Sequence, residues 1–162
     1  MHRGDVMEAL AELYRQHAPG ILGYLRRHFG PLVCADEVLQ ETFARAAARP
    51  DRLAEVESPR AWLFAVARNV AVRDLRRRHR TAPLPEDLPE PSPAEADPRL
   101  DRMRRAVESL PPQKRETLDL RLRDGLTYEE IAHVLGIPVG TVRSRLHHTV
   151  RELAEALRPP LT

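Results

Sequence analysis

Apolar residues recur at three- and four-residue intervals along most of the chain, the spacing that gives a helix one apolar face. Residues 5–17 read as a helix with Val6, Leu10, Leu13 and Tyr14 on one side. Pro19 suits the first turn of a second helix, where its missing N–H costs nothing. Ile21, Leu22, Leu25 and Phe29 form that helix's inner stripe, Arg26, Arg27 and His28 face out, and Gly30-Pro31 ends it. A third helix is predicted over about 35–49. Val38, Leu39, Thr42, Phe43 and Ala46 point inward there, and Asp36, Glu37, Gln40, Glu41 and Arg45 make its polar face. Acids near a helix N-terminus suit the helix dipole, so these have a structural reason to be present as well as any functional one.

Residues 50–57 read as a polar loop. Ser58 followed by Pro59 is a strong helix start, with a cap and a first-turn proline side by side. The long helix that follows takes its apolar content from Trp62, Leu63, Val66, Ala67, Val70 and Leu75. Its other side carries Arg60, Arg68, Asn69, Arg73, Arg76, Arg77, Arg78 and Arg80, offset only by Asp74. Asn69, Arg73 and Arg76 fall at i, i+4 and i+7 and share one stripe. A basic stripe is often only a solvated face, but one so little offset favours contact with phosphate.

The pattern then fails. Residues 81–98 hold Pro83, Pro85, Pro89, Pro91, Pro93 and Pro98 together with Glu86, Asp87, Glu90, Glu95 and Asp97. Proline removes backbone donors, and so little apolar surface cannot support a fold. The segment is predicted to be an extended linker, able to span roughly 50 Å at about 3 Å per residue. Helical spacing resumes after Asp97-Pro98, with Leu100, Met103, Val107 and Leu110 inward. Pro111-Pro112 breaks that helix and starts another, which buries Leu118, Leu120 and Leu122 before Asp124-Gly125 closes it.

Two further helices are predicted over residues 127–148 and beyond. Thr127 caps the first and Glu130 completes a capping box. Ile131, Val134 and Leu135 give it an apolar face, and Gly136 supplies the left-handed residue that stops it. Pro138 keeps Ile137 out of the helical region and lets a second helix begin. Val142, Leu146, Val150, Leu153 and Leu157 turn inward on it, while Thr141, Arg143, Ser144, Arg145, His147 and His148 turn mostly outward. A short helix, a tight turn and a polar, Arg-bearing second helix is the arrangement with which a helix-turn-helix reads DNA. An ordinary helical hairpin would share the apolar spacing.

Composition narrows the picture. Aromatic residues are 4 % and charged residues 31 % of the 162, so cores must be built from Leu, Ala and Val in small helical units. Of 26 basic residues only Lys114 is lysine, which lowers the weight of any single arginine as a signal. Net charge is +4 over residues 1–80, −5 over 81–98 and +3 over 99–162. Two basic units flanking an acidic strip suggest polyanion contacts at both ends. The expectation is therefore an all-α chain: a helical bundle (1–80), a flexible acidic linker (81–98) and a helix-turn-helix unit (99–162).

Catalytic chemistry finds little support. Cys34 is alone, which excludes an internal disulfide and a cysteine-built zinc site. It is expected to be a small buried residue at a helix start, as free cysteines commonly are. His133, His147 and His148 lack carboxylate–histidine spacing for a metal, and neither a phosphate-cradling Gly-rich loop nor a nucleophile–base pair is present. No catalytic residue, metal or cofactor is expected. The N-terminus lacks the apolar core of a signal peptide, and no apolar run approaches the ~20 residues of a membrane span. A cytoplasmic protein that does not itself insert into a membrane is the expectation.

Three motifs in order resemble one family. They are Asp36-Glu37-Val38-Leu39-Gln40-Glu41-Thr42-Phe43, then Trp62-Leu63-Phe64-Ala65-Val66-Ala67-Arg68-Asn69, and finally Gly125-Leu126-Thr127-Tyr128-Glu129-Glu130-Ile131-Ala132 continuing through Gly140-Thr141-Val142-Arg143-Ser144-Arg145-Leu146-His147. Leu110-Pro111-Pro112 with Arg115 and Glu116 matches a further segment. Over nearly its whole length the chain is similar to the bacterial RNA polymerase sigma factors of the extracytoplasmic-function (ECF) group, in the sigma-70 family.

The resemblance implies a protein that binds core RNA polymerase and directs initiation at promoters through their −10 and −35 elements. It implies that Asp36, Glu37, Gln40 and Glu41 dock on the clamp helices of the largest polymerase subunit, with the flap region as a second contact. It assigns Asn69 to a base of the −10 element, with Arg73, Arg76 and Arg77 on the strand backbone, and the loop 50–57 to −10 opening. Arg143, Ser144, His147 and His148 fall where the family reads −35 bases, while Thr141 and Arg145 are better placed for phosphates. The linker resembles a segment that threads toward the polymerase active centre and RNA exit path. An anti-sigma factor is the further implied partner.

The family often carries Arg at the position of His148 and a basic residue near Val150, so a weaker hold on −35 phosphates is expected. The −10 loop also lacks any aromatic residue for stacking. The alternative from another class is a stand-alone helix-turn-helix repressor or activator, which would need neither the first nor the second motif.

Overall fold

A computed structural model describes residues 2–79 and 97–159. The described residues form helices α1 (Arg3–His28), α2 (Ala35–Ala48), α3 (Pro50–Glu55), α4 (Pro59–His79), α5 (Pro98–Glu108), α6 (Pro112–Leu122), α7 (Tyr128–Leu135) and α8 (Val139–Ala156), with one 3-10 turn at Gly30–Leu32. They divide into two compact units, one built on the N-terminal helices and one on the C-terminal ones. The expected linker falls almost wholly outside the described residues.

In the first unit α1, α2 and α4 pack on one another. Their shared core joins Ile21, Leu25, Val38, Leu39 and Leu63 to small residues, Ala18, Ala46, Ala61, Ala67 and Ala71, which let the helix axes approach closely. Tyr24 is fully buried at its centre, with ring centroids 5.6 Å from Phe64 and 6.0 Å from Phe29. Aromatic pairs at such separations add stability beyond their buried area. Thr42 is also fully buried, and it satisfies its hydroxyl by donating to the Val38 carbonyl at 2.7 Å.

Several expectations fail here. The two helices predicted around Pro19 are one, because Pro19 lies inside α1. The stripe Leu10, Ala18, Ile21, Tyr24 and Leu25 keeps helical spacing across the proline, and its burial outweighs one lost backbone hydrogen bond. Residues 50–57 are not a loop throughout: α3 occupies most of them and buries Leu53. Cys34 is exposed rather than buried, since it stands at the N-cap of α2, ahead of the first inward position, Ala35. By contrast, Ser58 caps as expected, its Oγ accepting from the Ala61 N–H at 3.1 Å.

In the second unit α8 packs on α6 and α5. Leu110, Leu118, Leu120, Leu126, Ile131, Val142 and Leu146 are buried. Asp97 caps α5 by accepting from the Arg99 N–H at 2.9 Å. Two residues expected inward on α5 lie outside, Leu100 64 % and Met103 42 % exposed, whereas Val107 is half-buried. Leu122 also remains outside. The chain turns at Gly125, φ +68°, and Leu126 is fully buried instead, its N–H donating to the Leu120 carbonyl at 3.0 Å. On α8 the buried stripe runs Val142, Leu146, Thr149 instead of through Val150. Thr149 tolerates burial because its hydroxyl donates to the Arg145 carbonyl at 2.7 Å.

Candidate nucleic-acid and polymerase interfaces

The helix-turn-helix is built by local chemistry. The Glu130 carboxylate accepts from the Thr127 N–H at 2.8 Å, and the Thr127 hydroxyl accepts from the Glu130 N–H at 3.1 Å. This reciprocal pair satisfies two donors that a helix start leaves open. Gly136, φ +64°, stops α7, and the Ile137 N–H donates back to the Ala132 carbonyl at 3.1 Å. Pro138 then stands at the N-cap of α8. Arg121 braces the entry to α7: its Nη1 donates to the Leu126 carbonyl at 3.0 Å, and its guanidinium lies 5.1 Å from the Tyr128 ring centroid.

With Val142, Leu146 and Thr149 buried, α8 presents Thr141, Arg143, Ser144, His147 and His148 to solvent. The rings of His147 and His148 sit edge to face at 5.8 Å. Arg145 differs. It is half-buried, and its Nη1 donates to the Thr117 hydroxyl on α6 at 3.3 Å, so it ties α8 to α6 as well as facing outward. One exposed cation escaped the sequence reading. Arg151 lies three residues past His148, four past His147 and seven past Ser144, hence on the same outer stripe. It supplies the basic charge that seemed lacking near Val150, and its spacing from Ser144 could have revealed it.

In the first unit Asp36, Glu37, Gln40 and Glu41 are all exposed on α2. Asp36 meets Arg26 at 3.6 Å and Glu41 meets Arg45 at 2.9 Å, both exposed pairs. Such pairs are worth little and are readily exchanged for a partner's groups. The four candidate −10 residues on α4 are all exposed. Arg73 and Arg77 line a groove of about 240 Å³ with Glu37, Glu41, Arg45 and Asp74, between α4 and α2. Arg77 is also paired with Asp74 at 2.9 Å. Asn69 and Arg76, seven residues apart, lie on the stripe that also carries half-buried Trp62. Trp62 was expected inward; its position gives that stripe the aromatic surface that the loop lacks.

Among the described residues no group of histidines, cysteines and carboxylates is arranged to hold a metal, and no helix is long and apolar enough to cross a membrane. What the two units present is a helix-turn-helix with a polar, basic outer face on its second helix in one and an acidic face beside a basic stripe in the other. That is the equipment of a DNA-binding transcription protein with a second, protein-binding surface.

Comparison with known proteins narrows the class. Residues 13–81 match the family "Sigma-70 region 2" and residues 100–153 match "Sigma-70, region 4". The chain is 37 % identical over 154 residues to the ECF RNA polymerase sigma factor SigL of Mycobacterium tuberculosis, covering 90 % of this chain and 87 % of that one. It is 30 % identical to the ECF sigma factor RpoE of Cereibacter sphaeroides, covering 95 % and 88 %. Its fold is similar to RpoE of Bartonella quintana, solved with the anti-sigma factor NepR: TM-score 0.63, 25 % identity, 91 % of this chain and 98 % of that one. CnrH, solved with the cytosolic domain of CnrY, is similar at TM-score 0.61 and 27 % identity over 93 % and 88 %. The chain belongs to the ECF sigma factors of the sigma-70 family. It is a specificity subunit that binds core RNA polymerase and directs promoter recognition, not an enzyme, and the stand-alone repressor reading is set aside.

Proposed function

We propose that this sigma factor divides its work as follows: residues 1–80 hold core polymerase and open the −10 element, 81–98 link, and 99–162 read the −35 element. The observation that carries the −35 assignment is the capped helix-turn-helix with Arg143, Ser144, His147 and His148 exposed on α8. These side chains take base edges in the major groove, where an arginine can grip guanine through two hydrogen bonds. Thr141 and Arg151 are the flanking phosphate contacts, and Arg145 adds charge while holding α8 against α6.

On α4, Asn69 pairs with an extruded −10 base and Trp62 offers it a stacking face. Arg76 holds the strand backbone, and Arg73 and Arg77 contribute from the edge of the groove shared with α2. Unstacking a base step costs a few kcal/mol, which capture of the extruded base offsets. Asp36, Glu37, Gln40 and Glu41 dock on the clamp helices of the largest subunit, and the second unit meets the flap region. Charge on that face sets rate and partner choice more than affinity.

The test is transcription by core polymerase reconstituted with the full chain. Arg143→Ala is expected to lower initiation and relax one −35 position; unchanged selectivity in that variant rules out the reader assignment. An anti-sigma factor is the second partner we assign, since the two solved relatives were obtained bound to one or to a partner's cytosolic domain. Added to the reconstituted reaction, it suppresses initiation in proportion to its concentration. A bound protein that leaves initiation untouched is not that partner.

A further inference from the structure

Lys114 is the single lysine among 26 basic residues, and it lies outside the helix-turn-helix, in the first turn of α6. Its Nζ donates to Glu152 Oε1 on α8 at 2.6 Å, and the two side chains are 27 % and 49 % exposed. Beside this pair runs an open groove of about 420 Å³ lined by Lys114, Gly140, Thr141, Ser144, Arg145 and His148. Two cations, two hydroxyls and an imidazole line it, without a carboxylate. Its α8 wall is the flank of the proposed −35 reader: Thr141, Ser144 and His148 follow at i, i+3 and i+7.

Cations and hydroxyls beside a reader helix are what phosphate oxygens of the bound duplex take. Glu152 stands one turn beyond His148, at the end of the same stripe. An ion pair this exposed is worth little, so Lys114 can leave Glu152 for a phosphate at small cost. We infer that Lys114 is a backbone-phosphate contact of the −35 duplex, and that Glu152 competes with the DNA for it and so holds −35 affinity down. This rests on the assignment of α8 as the −35 reader. The alternative use of the pair is structural, as a tie between α6 and α8, and the two uses differ in sign. Removing either partner of a tie harms binding; removing a competitor improves it.

The experiment measures binding of the reconstituted holoenzyme to promoter fragments that contain or lack the −35 duplex. Lys114→Met is expected to weaken binding to the complete fragment equally for every −35 sequence, and to leave the truncated fragment unaffected. Loss of one phosphate contact lowers the salt slope by about 0.9, so the advantage of the unaltered chain over the variant shrinks roughly three- to fourfold between 50 and 200 mM salt. Lys114→Arg keeps the charge and retains binding. Glu152→Gln is expected to tighten binding to the complete fragment by about two- to fivefold, the scale of one exposed pair. Weakening by both Lys114→Met and Glu152→Gln, or no change in either, overturns the inference while the −35 reading stands. If the unaltered holoenzyme binds both fragments alike, the −35 reading falls and takes this inference with it.

Discussion

Arg143 and Arg145 stand two residues apart on α8 and have different surroundings. Arg143 is exposed, whereas Arg145 reaches back to the Thr117 hydroxyl at 3.3 Å. Replacing Arg143 with alanine is expected to remove about 1–3 kcal/mol of discrimination at one −35 position, read from initiation on a set of single-base promoter variants. Replacing Arg145 is expected to act on the fold as well, lowering the stability of the C-terminal unit by about 1 kcal/mol through one lost hydrogen bond, which thermal melting measures. The outward placement of Arg143, Ser144, His147 and His148 was legible because it depends only on helical period. The inward tie of Arg145 was not, because it depends on a hydroxyl 28 residues away. Cys34 shows a related limit: composition favours burial, yet one step of position at a helix start decides it.

Helix ends and turns were the most readable elements. The Thr127–Glu130 box, Ser58, Asp97 and Gly136 all serve as their residue types suggest. Thr127→Ala is expected to cost about 1 kcal/mol of stability, and Gly136→Ala about 1–2 kcal/mol because alanine meets a steric penalty at φ +64°; denaturant titration of each variant checks both. Helix continuity was harder to read. Pro19 is a breaker by local chemistry, but the apolar stripe on either side of it keeps phase and α1 runs through. Pro19→Ala is therefore expected to stabilise the first unit, by roughly 1–3 kcal/mol; a lower melting point for that variant would contradict the continuous helix. The exposure of Leu100 and Met103 on α5 was likewise hidden, since spacing identifies a face but not what covers it.

At the scale of the molecule, two basic segments flank an acidic, proline-rich one, and the described residues form two helical units. Membership of the sigma-70 family was legible because three motifs lie in order along the chain, within the segments that match regions 2 and 4. That Arg73 and Arg77 also line a groove with Glu37 and Glu41 was not, since that groove exists only once α2 and α4 pack. Neither unit alone explains a promoter-specific protein. We propose that both act together on polymerase-bound DNA. Initiation by core polymerase and the full chain on a randomised promoter library, followed by sequencing of the transcribed templates, tests this. The expected result is enrichment of two separated elements at −35 and −10, with no footprint by the chain alone. Protection of a single palindromic duplex site by the unaided chain, with no enrichment when polymerase is added, would contradict it.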